Sequence, residues 1–309
     1  MRKVIGIGET ILDIIFKDEQ PYKAVPGGSV FNGLISLGRL GADVAFISEL
    51  GNDKVGHIIK SFMVENGLTT DYVDCFPDGK SPISLAFLNE RSDAEYIFYK
   101  NYPAQRLNVE FPRIEADDLL IFGSFYALNP ALRARMTELL QYAKKQGAII
   151  YYDPNFRSAH AHEAIKLTPI ILENFEYADI VRGSDEDFMN IFGASDMQQL
   201  YKERIEFYCQ YFLTTHGADG VNLFTPKFSE HFESRSVKCV STIGAGDNFN
   251  AGMLFGMLKY DVRKADLPHL TAEDWKKVVE CGIELSAEVC QSYDNYISKD
   301  FAETYKNKL

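Results

Sequence analysis

Short apolar, β-branched runs alternate along the chain with longer segments whose apolar positions recur every three or four residues. The runs are KVIGIG (3–8), DVAFISEL (43–50), DLLIFGS (118–124), AIIYYD (148–153), ADIVRG (178–183), YFLTTHG (211–217) and GVNLF (220–224). Helical periodicity falls at 29–40, 55–67, 130–146 and 163–177, and again at 248–259 and 271–291. Strand–helix alternation of this kind predicts a mostly parallel sheet covered on both faces, an α/β fold.

One stretch breaks the rhythm. SPISLAFLNERSDAEYIFYKNYPA (81–104) reads as two strands around the polar turn NERSDAE, with alternation visible over residues 96–99. A hairpin inside an α/β chain is an insertion at a sheet edge, either a lid over a site or a plain edge hairpin. The Lys-rich segment after Lys299 reads as a last surface segment. Internal repeats, low-complexity tracts and long linkers are absent from the sequence.

Composition narrows the function. The 309 residues are 46% hydrophobic and 25% charged, an ordinary globular balance. The formal net charge of −12 argues against nucleic-acid and anionic-membrane surfaces, which need basic patches. It leaves room for an anionic small ligand, because backbone dipoles can hold phosphate. Five cysteines without C-x-x-C or zinc spacing read as reduced thiols. The apolar N-terminus is interrupted by Glu9 and Asp13, and there is no run of 18 apolar residues, so a cytoplasmic location is the default expectation.

The candidate chemistry lies in STIGAGDNFNAG (241–252). Gly244, Ala245 and Gly246 stand at the start of a segment in which Phe249, Met253 and Met257 recur every four residues. Glycines at a helix start let backbone N–H groups converge on an anion, and the helix dipole adds positive charge there. Asp247 beside such a pocket suits the removal of a proton from a hydroxyl that attacks a phosphoryl group. Taken alone, the stretch is equally well a glycine-rich turn with Asp247 as an ordinary helix cap. A second constellation, PGGSVFNG (26–33), places glycines and Asn32 at another helix start, with Asp13 just beyond the first strand. Asp13 and Asn32 together resemble a clamp for sugar hydroxyls. Gly6-Ile7-Gly8 lacks the third glycine of a dinucleotide fingerprint, and no P-loop motif occurs.

STIGAGDNFNAGML resembles the C-terminal signature of the ribokinase-like carbohydrate kinases, the phosphofructokinase B family. PGGSVFNG with the following ELGNDKVG is similar to that family's N-terminal signature. The motifs GETILD, GGSVFN, GNDKVG, DPNFR, TTHGADG and GAGD occur in the family's order along nearly the whole chain, and GE, FYKNYPA and DPNFR look closest to the fructokinase branch.

The resemblance implies a single kinase domain over 1–309, a three-layer α/β/α Rossmann-like ribokinase fold with a small β-sheet lid from about 9–17 and 81–104. It implies ATP and Mg2+, with Asp247 as catalytic base and Gly244, Ala245 and Gly246 shaping the anion hole. Asp13, Gly28, Asn32, Lys100 and Arg157 would hold the sugar and its phosphoryl group. Ser184, Thr215, Gly217 and Gly220 fall at the nucleotide, and Asp187 at the metal through water. Fructose, phosphorylated at its 6-hydroxyl, is the expected acceptor. The alternatives are a related kinase for ribose, a keto-sugar acid or a nucleoside, and a sugar-binding regulatory module without appreciable turnover. A homodimer through the lid is expected from the same resemblance. Departures from the family pattern are Leu34 near the sugar asparagine, Ser184 and Asp187 in the N-x-x-E element, Ser241 at an acidic position tied to potassium, SYDNY (292–296), and Lys100 where many fructokinases carry arginine.

Overall fold

The computed structural model describes residues 2–88, 94–104 and 106–306. In its first half the elements are β1 (Lys3–Ile7), β2 (Ile11–Lys17), β3 (Gln20–Gly27), α1 (Ser29–Arg39), β4 (Asp43–Gly51), α2 (Lys54–Glu65), β5 (Val73–Phe76), β6 (Lys80–Leu88) and β7 (Ala94–Asn101). They continue with β8 (Leu119–Gly123), α3 (Ser124–Leu128), α4 (Arg133–Gln146), β9 (Ile149–Asp153), α5 (Ala164–Tyr177), β10 (Ile180–Ser184), α6 (Asp185–Phe192) and α7 (Met197–Leu200). The last are β11 (Tyr211–Thr215), β12 (Val221–Phe224), β13 (Ser229–Phe232), α8 (Ala245–Lys259), α9 (Ala272–Val289) and α10 (Lys299–Lys306).

Nine strands form the central sheet in the order β13-β12-β11-β10-β9-β8-β1-β4-β5. It is parallel from β5 to β11, and β12 and β13 add an antiparallel edge. Strands in the middle of such a sheet are apolar on both faces, which is why the runs read as continuous rather than alternating. Successive residues serve two cores. Leu119 and Ile121 pack with α1, α8 and α9, while Leu120 and Phe122 pack with α3, α4 and α5. The result is the three-layer α/β/α architecture.

A second, four-stranded sheet has the order β3-β2-β6-β7. β2 runs parallel to β6 and sets Asp13 opposite Ser84. The expected insertion is therefore present, and its turn lies outside the described residues. β3 is an added strand that the sequence reading did not contain. Its Pro21 and its run of exposed polar residues suit an edge position, where proline removes no needed ladder bond. The Lys-rich tail differs too: α10 buries Ala302 and sets Tyr305 against Phe255 of α8, with ring centroids 5.7 Å apart.

The site end of α8 is fixed by how closely α8 lies on α9. A Cβ on Gly252 would stand 2.2 Å from the carbonyl oxygen of Cys281 and 2.6 Å from Gly282 Cα. Trp275 of α9 is fully buried on the sheet below. Gly252→Ala should therefore lose stability even though alanine favours helix by about 1 kcal/mol. The expected net loss is about 1–3 kcal/mol from overpacking against backbone, read from the urea midpoint. A variant as stable as the parent would show that the two helices can part freely.

Candidate active site

The loop into α8 ends at Gly244, which has φ +77° and whose Cβ would meet the Asn295 carbonyl oxygen at 2.7 Å. No other residue meets both conditions without strain. Ala245 uses its N–H on the Thr242 carbonyl at 3.2 Å. The amides of Gly246 and Asp247 follow in the first turn, where no helix carbonyl can reach them. They are donors for an anion, at the positive end of a helix of 15 residues.

Asp247 is not the cap of this helix. Gly244 holds the cap position, without a side-chain cap bond. The Asp247 carboxylate instead turns across to α1, accepting from Ser29 Oγ at 3.0 Å and from Asn32 Nδ2 at 2.8 Å. Burial pushes its pKa up to about 6, against the pull of the Asn32 bond and the Arg157 charge, with the Asp153 charge adding to the rise. A small recess between α1 and α8, too tight to admit a water molecule, is lined by Ser29, Val30, Gly33 and Leu34 on one side and by Asp247, Ala251 and Leu254 on the other. A desolvated carboxylate with a pKa just below neutrality is suited to accept a proton.

Beneath the glycines lies a buried cation. Arg182 of β10 donates to Asp153 Oδ2 at the end of β9 at 2.9 Å and to Thr215 Oγ1 at the end of β11 at 2.6 Å. Asn250 of α8 donates to the same Asp153 oxygen at 2.6 Å, and the Asn155 amide donates to the other at 2.9 Å. A Cβ on Gly246 would stand 2.9 Å from Arg182 Nη1. Gly246 is thus small because a guanidinium lies against it. Burial lowers the pKa of Arg182, but the Asp153 charge, with those of Tyr151 and Asp187, more than offsets it and the pKa is raised.

The start of α1 is joined to the small sheet by Glu9. Gly28 has φ +135°, and its Cβ would lie 2.3 Å from the Glu9 carbonyl oxygen. The Glu9 carboxylate accepts from Lys100 Nζ at 2.7 Å and from Tyr102 OH at 2.5 Å. Asp13 accepts from Ser84 Oγ, and its other oxygen faces Gly27. Burial raises its pKa to about 6, the Ser84 bond lowers it and the Glu9 charge raises it further.

Beyond the buried cation is the expected nucleotide segment. Gly217 and Gly220, with φ +55° and +96°, form the turn after β11. Ser184 caps α6 and exchanges hydrogen bonds with Asp187, whose Oδ2 accepts from both the Ser184 amide at 2.6 Å and its hydroxyl at 2.7 Å. Glutamate is the usual acid of such a capping box; the shorter Asp187 closes it here and is buried.

The structure brings Asp247, Gly244, Ala245, Gly246 and Asn32 together at the meeting of α1 and α8, with the exposed Arg157 near enough to act on Asp247. Asp13 and Lys100 lie on the small sheet and meet through Glu9. The sequence reading missed Ser29, Ser84, Arg182 and Asn250. Arg182 had a visible signal, a charge inside an apolar strand run. Asn250, set between Phe249 and Ala251, had the same signal within a helix.

Residues 1–301 match the model of the pfkB family carbohydrate kinases. The chain belongs to that family. Among relatives of this carbohydrate kinase, the fructokinase of Solanum tuberosum is 26% identical over 268 residues, covering 81% of this chain and 79% of the relative. The structure of fructokinase with bound ATP from Xylella fastidiosa superposes with a TM-score of 0.82 at 20% identity, covering 99% of this chain and 98% of that one. Aminoimidazole riboside kinase from Salmonella enterica, complexed with aminoimidazole riboside and an ATP analog, gives 0.80 at 24%, covering 98% and 99%. These two likenesses establish the fold. Among the described residues no helix of this carbohydrate kinase is long and apolar enough to cross a membrane.

Two expectations follow from this geometry. Protonation below about pH 6 should remove the proton-accepting form of Asp247, so kcat should fall on the acid side if this carboxylate takes part in turnover. Asp247→Asn should lower kcat by roughly 10²- to 10⁴-fold and flatten that limb. The raised pKa means that the folded state binds more protons than the unfolded one between pH 4 and 6. The ionised carboxyl therefore costs stability as pH rises through about 6, and Asp247→Asn should melt at or above the parent at pH 8. A variant that keeps its kcat within a few-fold would remove Asp247 from the chemistry. Separately, Arg182→Met should cost about 3–5 kcal/mol in urea unfolding, because Asp153 is left buried and unpaired; an unchanged midpoint would show that the pair is not structural.

Proposed function

We propose that this chain is an ATP-dependent sugar kinase that converts fructose to fructose 6-phosphate. The observation that carries the reading is the buried Asp247 carboxylate, held at a pKa of about 6 beside the open amides of α8. The similarity to named fructokinases supports fructose as the acceptor. The sugar lies between the central sheet and the small sheet, which acts as a lid. Asp13 and Asn32 hold its hydroxyls with Gly28 giving the backbone room, and Lys100 and Arg157 frame the reacting end. Asn32 Oδ1 is buried and lacks a protein partner, which suits an acceptor kept for a substrate hydroxyl.

The attacking hydroxyl gives its proton to Asp247 as its oxygen bonds to the γ-phosphorus. The bond from that phosphorus to the bridging oxygen breaks, and ADP leaves. Charge on the transferring oxygens is met by the amides of Gly246 and Asp247, with Arg182 behind the loop. Ser184, Thr215, Gly217 and Gly220 border the nucleotide. Magnesium brought in with ATP would neutralise charge on the nucleotide phosphates. Among the described residues no group of three or more His, Cys, Asp or Glu side chains could hold it, which fits an ion carried by ATP. Asp187 fits contact through water, since one of its oxygens is committed to Ser184.

The net charge of −12 supports a small-molecule partner rather than nucleic acid. The exposed Tyr22, Ile97 and Tyr99 support a homodimer formed through the lid. The test is ADP release against a panel of fructose, glucose, ribose, a keto-sugar acid and ribosides. Fructose should give the highest kcat/KM. Asp13→Ala should raise KM for sugar by about 5- to 150-fold, the equivalent of a lost buried hydrogen bond of 1–3 kcal/mol, with KM for ATP little changed. Preference for a riboside would move the acceptor to that class. Silence with every sugar, together with measurable sugar binding, would make the chain a binding module.

A further inference from the structure

Cys239 and Cys290 approach the anion loop from its two sides. Cys239 lies on the exposed chain that enters the loop, and Cys290 caps the C-terminal end of α9, partly buried. The Cys290 carbonyl accepts from the Val240 amide at 2.7 Å and from the Ser241 amide at 3.3 Å. These bonds hold the two segments in register and set Cys239 beside Cys290, near enough for its thiol to raise the Cys290 pKa. The same two segments grip the loop further on. Asn248 Nδ2 donates to the Gly244 and Asn295 carbonyls, each at 2.8 Å.

The other cysteines are placed differently. Cys209 and Cys281 are buried, and each gives its S–H to a backbone carbonyl, Asp179 at 3.3 Å and Lys277 at 3.4 Å. Cys75 is exposed beside Lys60 Nζ at 3.6 Å.

We propose that Cys239 and Cys290 form a reversible disulfide that clamps the entry of the anion loop to the end of α9. A small-molecule disulfide of the oxidised glutathione class is the oxidant. The exposed Cys239 thiolate attacks one reagent sulfur, the reagent S–S bond breaks, and one glutathione thiolate leaves and takes a proton. Cys290 then gives up its proton and attacks Cys239 Sγ, releasing the second glutathione. Two protein thiols are oxidised and one reagent disulfide is reduced. Burial and the neighbouring Cys239 raise the Cys290 pKa, which assigns the first attack to the exposed partner. An S–S bond of about 2.05 Å is far shorter than a thiol–thiol contact. Closing it draws residues 239–243 toward α9 and displaces Gly244 from its seat on Asn295. The consequence for turnover rests on the reading that this loop holds the transferred phosphoryl group.

The experiment treats the full chain with oxidised glutathione. Free thiols should fall from five to three, a peptide joining Cys239 to Cys290 should appear, and the intact mass should drop by two hydrogens. Sugar-dependent ADP release should fall by about fivefold, the lower end of ordinary site-to-site coupling, and dithiothreitol should restore it. Cys239→Ser and Cys290→Ser should keep the reduced rate and lose the response, while Cys75→Ser should keep both. Five remaining thiols, or a cross-link to any other cysteine, would overturn the proposal. So would a cross-linked form with an unchanged rate and an unchanged melt. The thiol count and peptide map read the bond without turnover, so a reduced protein inert toward sugars counts against the kinase reading and not against the bond.

Discussion

The site depends on one buried ion pair. Asp153 and Arg182 meet at 2.9 Å between the ends of β9 and β10, almost wholly out of water. Two charges removed from water are costly, and their attraction repays this only if the remaining donors and acceptors are also met. Here they largely are: Asn250 and the Asn155 amide complete Asp153, and Thr215 takes the second arm of Arg182. Arg182 Nε is left without a protein partner. The bonds tie three strand ends and α8 into one unit. An apolar replacement would seal the sheet as well, but it would not put a positive charge under Gly246. The pair is better understood as a fixed charge that the fold tolerates than as a source of stability.

That charge explains how labour is divided above it. The end of α8 has a positive dipole and a guanidinium behind it, yet its third residue is an acid that neither neutralises. Asp247 is turned away to α1, where Ser29 and Asn32 hold it and burial raises its pKa. The open amides of α8 and the Asp247 carboxylate therefore sit side by side without cancelling one another. α1 has a corresponding demand. Gly33 must be bare because a Cβ there would stand 2.8 Å from the Asp247 carbonyl oxygen. The approach of the two helices that positions the carboxylate is thus written into glycines of one and polar residues of the other.

Much of this was legible in the sequence. Strands apolar on both faces need no partner to announce themselves, so the seven runs mapped onto β1, β4 and β8–β12. β3 was hidden because an edge strand with Pro21 and polar residues lacks both the apolar run and the alternation. α10 was hidden because only Ala302 and Tyr305 of a short, charged segment are buried. At the site, glycines and acids near helix starts could be seen, since those residue types are restricted by backbone and charge. Whether Asp247 was a cap or a free carboxylate could not be seen. The answer depends on Ser29 and Asn32, more than 200 positions away in sequence. Leu34, a departure from the family pattern, is buried against Gly6, whose Cβ would stand 2.5 Å from Leu34 Cδ1. Its size is matched in the core by the absence of a side chain opposite.

Glu9 decides how the small sheet communicates with this centre. Its backbone oxygen fixes Gly28, and with it the first turn of α1 that carries Ser29 and Asn32. Its side chain holds Lys100 and Tyr102 at the end of β7, and its charge raises the pKa of Asp13 across the small sheet. Displacing β7 from the central sheet must either break two charge-assisted hydrogen bonds or draw Glu9 along. Breaking them leaves a partly buried carboxylate with less compensation, which opposes that displacement. Drawing Glu9 along moves the support under Gly28. Glu9, Gly28 and Asn32 thus form a chain of contacts from the small sheet to the carboxylate of Asp247.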